Sequence, residues 1–328
     1  MRAVASAAAA AIGICLASMT IAACGKPAPP TYWHAMHSGT TVDLLGVWGT
    51  SHSDVFAVGD SGTILHYDGS NWSPMISGTA DYLVGLWGAS SSDVYVAGGG
   101  VVLHYDGSVW RPMENRPDDY LFGVWGASST DVFFIGTGVI DHYDGSSWTT
   151  IWTTTPGGEG VQLSNIWGSS PSDVFADGAA PGGAPPSAAV IHYDGMRWTQ
   201  MDIPTYGNYN VGGIWGGSAS DVYFLAVGVA PDGEAGGGVM YHYDGAIWSV
   251  FWGQEVGTGV PMEWSIWGTS ASDIFLGGEE MLHFDGRSWQ SISGGSHENT
   301  YALWGSGPHD VFSVGRGGEI LHYAGSPN

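Results

Sequence analysis

Short apolar runs, separated by Gly, Ser, Asn and Asp, recur along the chain after about residue 40. In the first unit the runs are Leu44–Trp48, Val55–Val58, Thr63–Tyr67 and Trp72–Ile76. Apolar runs of this length bounded by turn-forming residues predict short β-strands. No stretch between residue 31 and the end has a helical period, so we predict an all-β fold and name the four strands of a unit A to D.

Two sequence anchors give the number of units. The first is Trp-Gly followed by Ser and by Asp-Val or Asp-Ile, and the second is His followed by an aromatic residue. The Trp anchors are Trp48, Trp87, Trp125, Trp167, Trp215, Trp267 and Trp304, and the His anchors are His66, His104, His142, His192, His242, His283 and His322. Seven units, with 37 to 52 residues between successive Trp anchors, predict a seven-bladed β-propeller of four-stranded antiparallel blades.

The side chains of each strand predict its place in a blade. Strand B is apolar at every position, as in Val55–Val58, which indicates that neighbouring blades cover both of its faces. Strand A has a small residue such as Gly46 two positions before the Trp, with Asn165 as the exception, and small residues suit the crowded innermost strand. Strand D tolerates Pro74 and Pro112, which places it at the outer edge.

The two ends of the chain predict how the ring closes. The last unit ends after His322 without a strand D, whereas residues 31–37 contain Trp33 and Met36 in the pattern of a strand D. We therefore predict that residues 31–37 complete the last blade, which would remove an exposed sheet edge and fix the terminus.

The repeat resembles known propeller motifs. Its ending, His-Tyr-Asp-Gly-Ser-x-Trp, resembles kelch-type and Asp-box-type repeats, but strand B lacks the double Gly of kelch and the Asp-box spacing is not met. The pattern Trp-Gly-x-Ser-x-x-Asp-Val-Phe is more similar to repeats of secreted bacterial proteins, often lipoproteins. The resemblance covers nearly all of residues 32–328 and implies a fold, with no assigned activity.

The N-terminal segment has the pattern of an export signal. Residues 1–23 carry one positive charge, at Arg2, followed by an almost unbroken run of small apolar residues. A transmembrane anchor is the alternative, but Ile21-Ala22-Ala23-Cys24 looks like a bacterial lipobox, which implies cleavage before Cys24 and its lipidation. With a short linker at 24–30 and a propeller at 31–328, we expect a monomer anchored to the bacterial outer membrane or cell surface.

The charge balance excludes some classes of partner. The chain has 31 acidic residues and 7 basic ones. An acidic surface repels phosphate backbones, so nucleic acid is not an expected partner. Cys24 would be the only cysteine after cleavage, so the mature chain could form no internal disulfide.

The repeated His and Asp residues are predicted to be structural. A residue present in every blade is spread around the ring, whereas a catalytic site is one asymmetric cluster. We expect the Asp before strand B to accept backbone N–H bonds in the A–B turn, Asp-Gly to form the C–D hairpin, and the His to bind a partner within its blade. No metal or cofactor is expected, and we expect no enzymatic activity.

Function is expected where the repeat is broken. B–C insertions lie at 178–189 and 228–238, and D–A extensions lie at 152–161, 202–210 and 252–262. B–C and D–A connections emerge on the same face of an up-and-down blade, so all five are expected on that face beside blades 3 to 6. We call this region the rim, because loops on a rigid scaffold commonly bind ligands.

Two tryptophans are the main candidates on the rim. Trp152 and Trp252 each follow a strand-D Trp by four positions, at a variable place that predicts exposure, so each could stack on a ligand or pack under its own loop. The other candidate ligand-binding residues are Tyr206, Tyr209, Asp232, Glu234, Glu255 and Glu263. The expected ligand is a surface polysaccharide or a protein, neutral or cationic. The alternatives are a glycosidase or lyase that uses rim carboxylates, and a purely structural surface protein.

Overall fold

Seven antiparallel sheets of four strands form the blades of a β-propeller. The structure is a computed structural model, which describes residues 33–114, 120–153, 161–180, 187–204, 208–229, 235–253, 263–292 and 299–325. The chain divides at Pro30 into two units, and the described residues all belong to the second, Thr31–Asn328. Within that unit the first strand of each blade packs against the first strand of the next, and the seventh packs against the first, which closes the ring.

Each blade runs from strand A at the axis to strand D at the outside. Blades 1 and 2 are β2 Leu44–Ser51, β3 Asp54–Gly59, β4 Ile64–Tyr67, β5 Trp72–Met75, β6 Gly85–Ser90, β7 Asp93–Gly98, β8 Val101–Tyr105 and β9 Trp110–Pro112. Blades 3 and 4 are β10 Leu121–Ser128, β11 Asp131–Gly136, β12 Val139–Tyr143, β13 Trp148–Thr153, β14 Gln162–Ser170, β15 Asp173–Ala180, β16 Ser187–Tyr193 and β17 Trp198–Met201.

The remaining blades follow the same order. Blades 5 and 6 are β18 Asn208–Ser218, β19 Asp221–Val229, β20 Ala235–Tyr243, β21 Trp248–Trp252, β22 Glu263–Ser270, β23 Asp273–Gly278, β24 Met281–Phe284 and β25 Trp289–Ser291. Blade 7 is β26 Thr300–Gly307, β27 Asp310–Gly315, β28 Ile320–Tyr323 and, from the other end of the chain, β1 Trp33–Met36.

The predicted ring closure is confirmed. β1 pairs antiparallel with β28, with Trp33 opposite Tyr323 and Met36 opposite Ile320. Trp33 is 6% exposed and packs into the cluster between blades 6 and 7. The terminal strand therefore contributes both a hydrogen-bond ladder and core contacts to the last blade.

The hydrophobic core lies between successive blades. The strand-B residues Val55–Val58 are at most 1% exposed. They alternate between two clusters: Val55 and Ala57 pack with blade 7, whereas Phe56 and Val58 pack with blade 2. A strand that contributes to a cluster on each face must be apolar at every position, which is the reason for the uniform strand-B pattern.

Contacts between neighbouring blades explain the Trp-Gly anchor. A Cβ atom added to Gly88 would lie 2.6 Å from the ring of Trp48 in the preceding blade. The same contact occurs between every pair of neighbours, including Gly49 against Trp304 at the closure of the ring. Each Trp thus requires the glycine of the next blade. A Cβ on Gly46 would likewise lie 2.3 Å from the carbonyl oxygen of Val84, so the innermost strands are as crowded as predicted.

The two turns of a blade differ in how they are held. In the C–D hairpin, Asp68 Oδ1 accepts hydrogen bonds from the backbone N–H groups of Ser70 and Asn71, both at 2.8 Å, and these bonds lower the pKa of Asp68. Gly69 at φ +89° allows the turn. The prediction for the A–B turn is wrong, because Asp54 bonds to side chains rather than to backbone N–H groups.

Within the described residues, no helix is long and apolar enough to cross a membrane. The helical segments among these residues are two 3-10 turns, Asp60–Gly62 and Arg316–Gly318.

Candidate functional site

The repeated Asp and His form one side-chain pair in every blade. In blade 1, His66 Nε2 lies 2.7 Å from Asp54 Oδ1, and Thr50 Oγ1 donates to Asp54 Oδ2. The pairs are His66–Asp54, His104–Asp93, His142–Asp131, His192–Asp173, His242–Asp221, His283–Asp273 and His322–Asp310, with N–O distances of 2.5 to 2.8 Å. Each pair ties strand C to the A–B turn of its own blade, as expected of a structural repeat.

Aromatic packing completes each pair. The His66 ring lies 4.5 Å from the ring of Phe56 on strand B, and every blade has the equivalent contact, between 4.3 and 4.8 Å. Burial raises the pKa of Asp273, but the hydrogen bonds from His283 and Thr269 outweigh it and leave that pKa below its usual range. In blade 7 the hydrogen bonds from His322 and Ser306 likewise hold the pKa of Asp310 below its usual range.

Blade 5 rises above the face that carries the B–C and D–A connections. β18, β19 and β20 continue past the length of the other blades, with Asn208 opposite Val229 and Val229 opposite Ala235. Strand B of blade 5 is three residues longer than that of blade 1, which adds roughly 10 Å of height at about 3.3 Å per residue.

Blade 4 has a smaller extension on the same face. Gln162 lies opposite Ala179, and Ala180 lies opposite Ser187. The B–C insertions predicted as loops are therefore continued strands for much of their length, since a ladder satisfies backbone N–H and C=O groups that a loop would leave to water. Blades 4 and 5 together form a raised wall at the predicted rim.

Trp152 is less exposed than its position in the sequence predicts. A β-bulge adds one residue, Ile151, to the outer strand of blade 3, so Trp152 pairs with Ile140. In blade 1 the residue that pairs with the corresponding Ile64 is Met75. The bulge therefore puts Trp152 in the place of that methionine, half-buried against the cluster between blades 3 and 4.

Trp252 occupies the equivalent place in blade 5. Phe251 is the extra residue there, and Trp252 pairs with Met240. The Trp252 ring lies 5.0 Å from the ring of Trp289 in blade 6 and is half-buried, whereas Ile76 in blade 1 is 89% exposed. Each of the two tryptophans thus packs between blades and leaves only part of its surface to a ligand.

The other sequence candidates are only partly described. The backbone of Tyr209 lies in the raised part of β18, opposite Gly228, and Glu263 begins β22, opposite Gly278. The residues that lie outside the described ranges are Cys24, Tyr206, Asp232, Glu234 and Glu255. Ligand binding by these residues stays a prediction.

Two tyrosines on the same face were missed by the sequence reasoning. Tyr82 is 40% exposed and lies three residues before β6, and Tyr120 is 62% exposed and lies directly before β10. Both stand in the sequence Asp-Tyr-Leu, at the end of a D–A connection, and that repeated tripeptide is the signal that could have identified them. Exposed tyrosines are common at binding surfaces, because they combine apolar area with a hydrogen-bonding hydroxyl.

A cavity of about 250 Å³ lies on the axis, lined by the innermost strands of all seven blades. In blade 1 its lining is Leu45–Val47, in the half of β2 that is nearer to the D–A connections. None of the described residues that line it has a charged side chain. Its polar residues are Ser164, Asn165, Ser265 and Tyr301.

Blade 4 places a buried carboxyl behind this cavity. Asp177 is fully buried in strand B, and its Oδ1 accepts hydrogen bonds from the backbone N and the side-chain Nδ2 of Asn165, at 3.1 and 2.9 Å. Burial raises the pKa of Asp177 to about 7, although the bonds from Asn165 lower it. The sequence analysis missed Asp177, which interrupts the apolar pattern of strand B directly opposite the one large residue of the strand-A series.

Among the described residues, no group of three or more His, Cys, Asp or Glu side chains is placed to hold a metal ion.

No protein-family model matches the chain, and no curated protein matches it. Solved structures do match. The chain is similar to YCF48 bound to D1 peptide (16% identity, 90% of this chain and 96% of that chain, TM-score 0.69) and to virginiamycin B lyase from Staphylococcus aureus (12%, 88% and 98%, TM-score 0.67). It is also similar to the extracellular domain of a putative one-component system from B. thetaiotaomicron (11%, 88% and 40%, TM-score 0.66). At these identities the matches show the propeller fold alone.

Proposed function

We propose that this chain is a non-enzymatic binding protein that holds a segment of another protein against the rim of blades 3 to 6. The observation that carries the proposal is the asymmetry of that face. Blades 4 and 5 are raised beside Asn165, the one amide side chain among the described residues that line the axial cavity, whereas the opposite turns repeat with little change. A departure from sevenfold symmetry at one place gives a ligand one place to bind.

A protein segment fits this face better than an anionic polymer does. The exposed rings of Tyr120 and Tyr82 offer apolar area and hydroxyl groups, and the chain carries 31 acidic residues against 7 basic ones. A neutral or cationic segment is favoured by that charge. The structure of YCF48 with a peptide supports the view that a propeller of this form can hold a peptide. A neutral surface polysaccharide is the other ligand class that such a face could take.

The proposal includes export and lipid anchoring through Cys24. The supporting observations are the lipobox-like Ile21-Ala22-Ala23-Cys24 and the extracellular location of one similar propeller. Replacement of Cys24 by Ala is expected to move the protein from the membrane fraction to the soluble or unprocessed fraction and to abolish labelling with a fatty-acid analogue. A variant that remained labelled would contradict the anchor.

Site-specific photo-crosslinking tests the binding face. A photoreactive phenylalanine at Tyr120 is expected to crosslink one defined polypeptide in the cells that make the protein. The same group at Met196, which is 86% exposed in a C–D hairpin on the opposite face, is the matched control and is expected to give none. Equal crosslinking from both positions, or none from Tyr120, would contradict the proposal. Retention on a neutral polysaccharide without a crosslinked polypeptide would instead favour the carbohydrate class.

An enzyme is the competing class, since one similar propeller is a lyase. Turnover of the bound partner or polysaccharide that disappears in Glu263→Gln would show that the rim is catalytic. Binding without turnover in both forms is the outcome expected of a binding protein.

A further inference from the structure

Blade 4 departs from the repeat at two facing positions. Asn165 replaces the small residue that precedes the anchor Trp by two, and Asp177 replaces an apolar strand-B residue; in blade 1 the same positions are Gly46 and Val58. The two residues are cross-strand partners in the ladder of β14 and β15, as Gly46 and Val58 are in blade 1. The two polar replacements therefore face each other across the ladder and must be considered together.

The hydrogen bonds fix the orientation of the Asn165 amide. Its Nδ2 donates to Asp177 Oδ1 at 2.9 Å and to the carbonyl oxygen of Gly212 in blade 5 at 3.3 Å. The reversed amide would place an oxygen against the Gly212 carbonyl, which cannot donate. Both amide hydrogens are therefore used. The remaining acceptor, Asn165 Oδ1, receives no hydrogen bond from the described residues and is not buried.

The pair has an energetic disadvantage that packing does not explain. Asp177 is fully buried, and its Oδ2 has no hydrogen-bond partner among the described residues. A buried carboxyl with an unsatisfied oxygen destabilises a fold relative to the valine that blade 1 has at this position. Among the described residues, Asn165 alone donates hydrogen bonds to it. The effect of Asp177 is thus to fix the amide so that its nitrogen donates within the protein and its oxygen is available as an acceptor.

Asn165, which carries the available acceptor Oδ1, lines the axial cavity. Asn165 and Ser164 form its polar side, whereas Leu45, Val84 and Phe122 form an apolar side. The volume of about 250 Å³ exceeds the roughly 150 Å³ that holds a benzene molecule in an engineered cavity. One partner side chain can therefore enter. The cavity combines an apolar wall for a carbon chain with a fixed acceptor for the group at its end.

We propose that the axial cavity is a binding subsite for one basic side chain, a lysine ammonium or an arginine guanidinium, with Asn165 Oδ1 as its acceptor. This inference rests on the proposed function, because the side chain belongs to the bound protein segment. A basic group suits the site since the described lining residues carry no positive charge to repel it and the Asp177 carboxyl lies directly behind the amide. An acidic side chain would meet neither a cation nor a free N–H donor on Asn165.

Two small probes test the subsite on the purified protein. N-acetyl-lysine methylamide carries the basic group, and N-acetyl-norleucine methylamide is its uncharged analogue. Titration followed by NMR is expected to show the lysine probe binding at least about tenfold more tightly, as expected for a charge-assisted hydrogen bond. Equal binding of the two probes to the wild-type protein would overturn the proposal.

The matched variants come from the repeat itself. Asn165→Gly/Asp177→Val gives blade 4 the pair found in blade 1. Asn165→Ser introduces the residue that blade 6 has at the equivalent position. Every introduced residue therefore already occurs at the same place in another blade. Both variants are expected to lose the tenfold preference while their melting temperatures show a folded protein. Met196→Ala, on the opposite face of blade 4 and 86% exposed, is the control and should keep the preference. Retention of the preference in the double variant would overturn the proposal.

The outcome separates the subsite from the wider proposal. If the lysine probe is not preferred but Tyr120 still crosslinks its partner, the subsite assignment fails and the binding face stands. If the preference is present but Tyr120 gives no crosslink, the binding face fails as the site of a protein partner.

Discussion

At the scale of single residues, aspartates that recur in every blade contribute differently from Asp177, which breaks the repeat. The seven Asp–His pairs are partly exposed, and a hydrogen bond joins each of them, so they stabilise each blade without creating a site. Asp177 breaks the repeat and is buried, and its Oδ2 has no hydrogen-bond partner in the part of the chain that the structure describes. Repetition therefore separates structural polar residues from the candidate functional ones.

Loss of one Asp–His pair should affect stability and spare binding. His104→Ala removes the 2.6 Å bond to Asp93 and the ring contact with Tyr95, and we expect the free energy of unfolding to fall by about 1–3 kcal/mol. Urea denaturation measures the change, with His34→Ala, an exposed histidine of β1, as the control. An unchanged stability together with lost ligand binding would mean that the pair is functional.

Asp177 should make stability fall as pH rises. Its pKa is about 7 when folded, against about 3.9 in an unfolded chain, so between these values the unfolded state has lost a proton that the folded state keeps. The contribution of this group is full below about pH 4 and is lost as pH rises toward 7.

The variant Asp177→Asn removes that dependence. Its free energy of unfolding, measured by denaturation at several pH values from 4 to 7, should fall less steeply than that of the wild type, because all other groups contribute equally to both curves. Asp81→Asn, an exposed aspartate, is the control. Parallel curves for Asp177→Asn and the wild type would contradict the assignment.

At the scale of elements, the Trp-Gly contact is the joint between blades. Gly88→Ala would place a methyl group where the Trp48 ring lies 2.6 Å away, and we expect a loss of about 1–3 kcal/mol from overpacking. Gly307→Ala is the matched control, because a Cβ there meets no atom within 4 Å. Thermal or urea unfolding compares the two. Equal stability of both variants would show that neighbouring blades can move apart enough to accept a methyl group between Gly88 and the Trp48 ring.

The repeated contacts could be predicted from the sequence, and the interruptions could not be fully predicted. Trp48 and its equivalents make the same contact seven times, so their spacing gave the blade count and the strand order. The bulges at Ile151 and Phe251 have no residue signature, since one inserted residue in an outer strand leaves the turn chemistry unchanged. The exposure of Trp152 and Trp252 was therefore overestimated, because counting from the strand-D Trp assumed a regular ladder.

The candidate site, too, could be predicted from the sequence only in part. The location of the irregular segments on one face followed from the order of the connections. Their continuation as strands depends on a register with the facing strand, such as Val229 opposite Ala235, which a Gly-rich stretch does not reveal by its composition. Asp177 was visible as a polar residue inside an apolar strand, and its meaning required the knowledge that Asn165 lies opposite.

At the scale of the whole molecule, a closed ring with a strongly acidic balance carries one irregular face. Closure through β1 gives every blade four strands, and contacts between the innermost strands join blades 4 and 5 to the rest of the ring. The net charge of −24 favours neutral or cationic partners at any part of the surface. The irregular face, rather than the charge, determines where such a partner binds.

The most direct test of this account is the affinity of the partner crosslinked at Tyr120 for a protein with a shortened blade 5. Replacing residues 227–238 by Asn-Gly joins the paired residues Ala226 and Val239 through a two-residue hairpin turn. The control is Ile247→Ser, in the opposite-face hairpin of the same blade, where the side chain is 65% exposed. We predict a dissociation constant at least about tenfold higher for the shortened protein, with the melting temperature and the control unchanged. An unchanged dissociation constant would contradict the claim that the raised face is the binding site.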